Sequence, residues 1–223
     1  MGRLYLVRHG RTAWNRGDIF RGTVDVPLDD VGREQARLVR DALFGLAPGT
    51  RFVYCSPLSR AKETAEIVAS AFLGVRAEPD DRFTDIDVGE WTGMPLTEVE
   101  ARYPELYDTW VRAPREVRFP GGQTLQEVQD QAWNGVQTLV PLLHDSDVIL
   151  VSHRLTLKTI ILKAVGSGLE NFWTVRLDTA STSVLETGHL EIGHYGGEDI
   201  LILSRLNDVS HLRPLKLPDR IDF

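Results

Sequence analysis

The sequence predicts an α/β fold: three layers, α/β/α, around a mostly parallel central sheet, with an inserted segment covering part of it. Three observations carry this prediction. The runs Arg3–Arg8 and Asp147–Ser152 are continuously apolar in their middles, as strands buried on both faces are. Stretches with helical apolar spacing alternate with strand-like runs along the chain. The region after Thr179 is strand-rich, which closes such a sheet. A chain of 223 residues can build one sizeable core, so residues 1–223 are read as a single domain.

The elements follow in order. Arg3–Arg8 is a buried strand. Asp29 or Asp30 opens a helix with Ala36, Leu38 or Val39, Ala42 and Leu43 at helical spacing, closing near Gly45. Phe52–Cys55 is a short strand. Ser56 caps the next helix, with Pro57 at its first position, and that helix runs to about Phe72 before Gly74. Val75–Glu78 is a further strand. The segment from Phe83 to Gly122 holds Trp91, Tyr103, Tyr107 and Trp110 but is broken by Pro95, Pro104, Pro114 and Pro120, a pattern closer to a lid than to a core element. Gln123–His144 is a helix, Asp147–Ser152 a central strand and Leu155–Val165 a helix. Ser181–Glu186, Leu190–His194 and Ile200–Leu206 are closing strands.

Composition excludes several classes of function. A formal net charge of -7 opposes a general nucleic-acid binder, which carries a basic face. No run of about 18 apolar residues suggests a membrane span, and the N-terminus lacks a signal-peptide core. The one cysteine, Cys55, allows no internal disulfide. A cytoplasmic location is therefore expected. No pair of histidines has the helical i, i+4 spacing of a zinc site, and no metal or cofactor is expected.

The candidate chemistry sits at strand ends. Ligands of open α/β sheets bind beyond the carboxyl ends of strands. There the first strand runs into Arg8-His9-Gly10-Arg11. Neighbouring guanidiniums repel unless an anion lies between them, and their forks match phosphate oxygens. A histidine held among arginines is pushed toward its neutral, nucleophilic form. Gly10 permits close approach of a ligand or of backbone. After the strand ending at Cys55, "SPLSRAKETA" puts Arg60 in a first helical turn. After Ser152, "SHRLTLK" puts His153 at a helix start, where free amides favour anions. Singly, each has a bland reading: a basic strand end, a solvated arginine, a capping histidine. Together, they place phosphate-compatible groups at one sheet edge.

These blocks resemble the histidine phosphatase superfamily, the phosphoglycerate mutase-like family, in order and over nearly the whole chain. The matching stretches are "LVRHGRTAWN", "RGTVDVPLDDVGREQA", "YCSPLSRAKETA", "FPGGQTLQEV", "VSHRLTLK" and "DTASTSVLE". The resemblance implies that His9 accepts the phosphoryl group and that Arg8, Asn15, Arg60 and His153 surround it. It implies no metal. The family's proton donor, commonly glutamate, falls at Asp85 in "FTDIDVGEWTG", with Asp87 and Glu90 as substitutes. Two further departures are Arg154, where a small residue is common, and Arg21, where an uncharged polar residue is common. With Gly22, they are candidate substrate-binding residues, although Arg21 also reads as a solvated loop arginine.

The expected function is metal-independent hydrolysis of a small phosphorylated metabolite through a phosphohistidine on His9. The alternatives are a bisphosphoglycerate-dependent phosphoglycerate mutase and a non-catalytic phosphate-binding module. The block "TDIDVGEWTG" and the "FPGG" stretch resemble the phosphatase branch. The segment 83–122 is expected to set which ester is cleaved, and Glu170–Trp173 reads as core or as a homodimer interface.

Overall fold

The computed structural model describes residues 2–16, 18–189 and 199–215. Its strands and helices run β1 (Arg3–Arg8), α1 (Asp30–Leu46), β2 (Thr50–Cys55), α2 (Ser59–Ala69), β3 (Ala77–Pro79), α3 (Leu96–Arg102), α4 (Pro104–Arg112), α5 (Leu125–Leu139), β4 (Asp147–Ser152), α6 (Arg154–Ala164), β5 (Thr182–His189) and β6 (Asp199–Asp208). The described residues form one six-stranded sheet in the order β3-β2-β4-β1-β5-β6. The β3-β2-β4-β1 part is parallel, and β5 and β6 are antiparallel additions. The three-layer, mostly parallel α/β architecture is therefore as the sequence predicts.

The period of two along each strand divides the core into two halves. Leu4, Leu6, Val148 and Leu150 face a cluster built with α5 and α6, including Leu125, Val136 and Ile160. Tyr5, Val7, Val53, Ile149 and Val151 face the opposite cluster, built with α1 and α2 through Val39, Leu43, Ala61 and Val68. Both faces of β1 and β4 are thus covered, which is why their sequences are continuously apolar.

Several boundaries differ from the sequence expectation for physical reasons. Asp29 caps α1 by accepting from Gly32 N, but the helix passes through Gly45 to Leu46. Pro57 is not the first residue of α2. Leu58 is the cap residue and the Ser56 side chain does not cap the helix. That helix stops at Ala69 and gives way to turns before Gly74, whose φ is +76°. The third strand is shifted to Ala77–Pro79. The expected helix Gln123–His144 is α5 followed by a 3-10 segment Val140–His144, because Pro141 has no N–H to continue the ladder. The expected strand Leu190–His194 lies outside the described residues.

The segment 83–122 is not a layer laid over a finished core. Phe83, Ile86, Val88, Trp91, Val99, Trp110, Val117 and Phe119 are all buried in the α5–α6 half. Trp91 packs edge-on against Phe20 and Phe119, with centroids 5.0 Å away in each case. Three of its prolines open elements rather than prevent them: Pro95 is the N-cap of α3, Pro104 the first residue of α4 and Pro114 the first of a 3-10 turn. No helix among the described residues is long and apolar enough to cross a membrane.

Candidate active site

Because β2, β4 and β1 are adjacent and parallel, their carboxyl ends lie side by side. The chain leaves each end under backbone restraint. His9 N donates to Ser152 O at 3.0 Å, and Ala180 N donates to His9 O at 3.1 Å. Ser56 N donates to Val151 O at 3.0 Å. His9 and His153 thus meet, their ring centroids 5.2 Å apart.

His9 is buried, and its Nδ1 lies 2.7 Å from the Gly10 carbonyl oxygen. A carbonyl only accepts, so Nδ1 carries the proton and donates it there, leaving the lone pair on Nε2. Burial, then the charges of Arg60, Arg8 and Arg21, hold the His9 pKa well below the usual histidine range. The ring is therefore a neutral base at neutral pH. Gly10 permits approach of backbone: a Cβ there would stand 2.4 Å from Gly32 O at the start of α1.

His153 occupies the N-cap position of α6, but its side chain does not cap the helix. Its Nε2 is 2.7 Å from Ser56 Oγ. Its Nδ1 lies 3.6 Å from Asp85 Oδ2 and is buried without a hydrogen-bond partner. Burial first, then Arg60 and the other neighbouring basic groups, also push its pKa well below the usual value. A buried donor or acceptor left unmade is costly.

Arg60 is fully buried. Its Nη1 donates to Val24 O at 2.7 Å, and its Nη2 donates to Gly22 O at 3.0 Å and to Asp85 Oδ2 at 3.2 Å. Its Nε is buried with no partner. Arg8 Nη1 donates to Leu177 O at 2.7 Å, which orients the buried guanidinium. Arg11 turns away and pairs with Asp29 at 2.8 Å, so the second arginine of the opening motif belongs to the start of α1. Asn15 is buried, and its Oδ1 accepts from Thr12 N and Thr12 Oγ1 in the turn that follows His9.

Of the three candidate acids, Asp85 alone faces both Arg60 and His153. The Asp87 carboxylate accepts from Gly89 N at 2.8 Å, holding the turn before Trp91. Glu90 is exposed and accepts from Tyr103 OH at 2.8 Å. Arg21, Gly22 and Arg154 line a cavity of about 580 Å³ that opens beside Asp85. Gly22 has a φ of +53°, which turns the loop so that its carbonyl meets Arg60. In the stretch Glu170–Trp173, Phe172 is buried and Trp173 stacks edge-on against it at 5.0 Å.

Sequence reasoning missed two groups here. Ser56 reads as a helix cap, and nothing local signals that it meets His153. Lys158 passes unnoticed, although a lysine four residues after Arg154 on an apolar helix is a visible anomaly. Cys55 is buried beside this edge, and burial pushes its thiol up to about 12, so it is an inert packing residue.

The chain that builds this edge is similar to known proteins. The sequence profile of the histidine phosphatase superfamily, branch 1, matches residues 4–192.

The chain belongs to the histidine phosphatase superfamily.

Phosphoserine phosphatase 1 of Hydrogenobacter thermophilus is 32% identical over 212 residues, covering 95% of each chain. A Salmonella paratyphi C protein named probable phosphoglycerate mutase GpmB is 29% identical over 212 residues, again covering 95% of each chain. The solved structure of Bacillus stearothermophilus YhfR superposes with a TM-score of 0.85 at 29% identity, covering 95% of this superfamily member and 100% of that chain.

Proposed function

We propose that this superfamily member is a phosphomonoesterase that works through a phosphohistidine on His9, with residues 1–223 acting as one catalytic unit and 83–122 bordering its substrate cavity. The observation that carries the reading is the state of His9: neutral, buried, with Nδ1 committed to Gly10 and Nε2 left to attack. Nε2 forms a bond to phosphorus as the bond to the ester oxygen breaks. Asp85 supplies the proton that the departing alkoxide takes up. Water then attacks the phosphohistidine, a proton returns to Asp85, and inorganic phosphate leaves.

Arg8, Arg60, Asn15 and the Nδ1 side of His153 hold the phosphoryl oxygens. Phosphoryl transfer spreads charge over the equatorial oxygens, so fixed donors aimed there supply most of the acceleration. Arg60 and Arg8 suit this role because backbone carbonyls already align their guanidiniums. Orientation is in place before the ester arrives.

Similarity to phosphoserine phosphatase 1 supports hydrolysis of a small phosphorylated metabolite. Similarity to a protein named as a phosphoglycerate mutase supports a second reading, in which phosphohistidine returns its phosphoryl group to another hydroxyl. The deciding experiment is phosphate release from p-nitrophenyl phosphate and a panel of metabolite monoesters, with EDTA and without bisphosphate. Release that disappears in His9→Ala supports the phosphatase. Isomerisation of phosphoglycerate that depends on added 2,3-bisphosphoglycerate, with no release, supports the mutase.

A further inference from the structure

The cavity that Asp85, Arg21 and Arg154 line is walled mainly by apolar side chains, among them Phe20, Leu96, Trp110, Leu155 and Val175. Lys158 lines it as well, with only 4% of its surface exposed. Arg154 is the first residue of α6 and Lys158 the fifth, so they stand one turn apart on one face. Like charges at that spacing repel, and burying an ammonium adds a further cost.

The contacts around the Lys158 ammonium itself offset little of this burial cost. Lys158 Nζ donates to the Phe172 carbonyl at 3.3 Å. It lies 4.7 Å from the centroid of Phe172 and 4.9 Å from that of Trp173. An ammonium has three N–H donors, and one carbonyl and two ring faces are a weak set for a buried charge. Three carboxylates share the cavity wall, Asp18, Asp85 and Asp178, and none is among the groups that shift the Lys158 pKa. Asp178 is engaged by Arg176 at 3.0 Å and by Asn207 at 2.8 Å, and Asp85 by Arg60 at 3.2 Å. Burial first, then Arg154 and Arg8, bring the Lys158 pKa down to about 7. The influence of Arg8 also places Lys158 within electrostatic reach of the phosphate end of the site.

We propose that the leaving group of the substrate is apolar for most of its length and carries an anionic group that Lys158, with Arg154, receives inside this cavity. The inference rests on the phosphatase reading and deepens it. A mainly apolar wall with a few convergent charged groups is how a pocket orients a small ligand. A bound anion restores the full charge of Lys158 and relieves its repulsion from Arg154. Lys158 takes no part in bond making; it determines which ester is accepted.

The test compares matched esters: 4-carboxyphenyl phosphate against 4-carbamoylphenyl phosphate, and 4-(carboxymethyl)phenyl phosphate against its amide. Each pair differs in charge but little in shape. The expected result is at least a tenfold preference in kcat/KM for the carboxylate of one pair, carried mainly by KM. Lys158→Met should bring that ratio close to one, and Lys158→Arg should keep most of it. A ratio within one variant does not depend on how much folded enzyme is present. Hydrolysis of the esters with ratios near one in the wild type, or a preference that Lys158→Met leaves unchanged, overturns the assignment and leaves the phosphatase reading standing. Release of phosphate from none of them overturns the phosphatase reading and this inference with it.

Discussion

The Nδ1 of His9 lies 2.7 Å from the carbonyl oxygen of its own neighbour, Gly10, and that short contact fixes which ring nitrogen is free. The phosphoryl group should therefore be found on Nε2. Phosphorus–nitrogen couplings in the 15N-histidine protein, trapped during turnover at alkaline pH, distinguish the two isomers. A phosphohistidine on Nδ1 would contradict the tautomer. His9→Ala should lower kcat by on the order of 10⁴-fold or more, as loss of a nucleophile does.

Asp85 Oδ2 sits 3.2 Å from Arg60 Nη2 and 3.6 Å from His153 Nδ1. On the proposed mechanism Asp85 protonates the leaving oxygen, so it should matter most when that oxygen is basic. Asp85→Asn is expected to slow an alkyl phosphate by roughly 10²–10⁴-fold and p-nitrophenyl phosphate far less. Equal losses on both esters would assign Asp85 to positioning Arg60 instead.

Both buried histidines have pKa values pushed well below the ordinary value near 6.5. Above about pH 6.5, both folded and unfolded chains hold them neutral, and they leave stability unchanged. As pH falls below that value, the unfolded chain takes up protons that the native site refuses. Stability is therefore lost between the unfolded pKa and the lower folded one. In phosphate-free buffer, the wild-type melting temperature should fall more steeply from pH 7 to pH 5 than that of a His9→Gln/His153→Gln variant. Parallel slopes would mean the rings are not held neutral.

Gly10 and Gly32 are in backbone contact. A methyl group on residue 10 would lie 2.4 Å from Gly32 O, and one on residue 32 would lie 2.0 Å from Arg11 O. Gly10→Ala should destabilise the fold by about 1–3 kcal/mol, the usual cost of overpacking. A urea midpoint checks it, and activity should drop with it because His9 immediately precedes the displaced atom. An unchanged midpoint would mean the two segments separate freely.

Much of the fold was legible because its strongest signals are local. The uninterrupted apolar runs of β1 and β4 reflect burial on both faces, and His9 and His153 follow those runs directly. What escaped depends on distant partners. Ser56 meets a histidine 97 positions away, and the aromatics of 83–119 find their burial against α5 and α6. Prolines 95 and 104 hide two short helices from any periodicity window, since each lies where a helix begins. Lys158 was visible as a charge among apolar residues, but its burial against Phe172 and Trp173 is a tertiary fact.

The order β2-β4-β1 carries a consequence for biosynthesis. Residues 3–8 and 50–55 emerge from the ribosome long before residues 147–152, yet β4 must stand between them. Such nonlocal pairing pays a large loop-closure entropy before it is rewarded. A nascent or truncated chain that stops short of β4 has His9 and Arg60 but neither the strand that brings them together nor the second histidine, His153. On the proposed mechanism, competence to act on phosphate esters therefore arrives late and abruptly, with the insertion of a single strand, and partial chains are expected to be chemically silent.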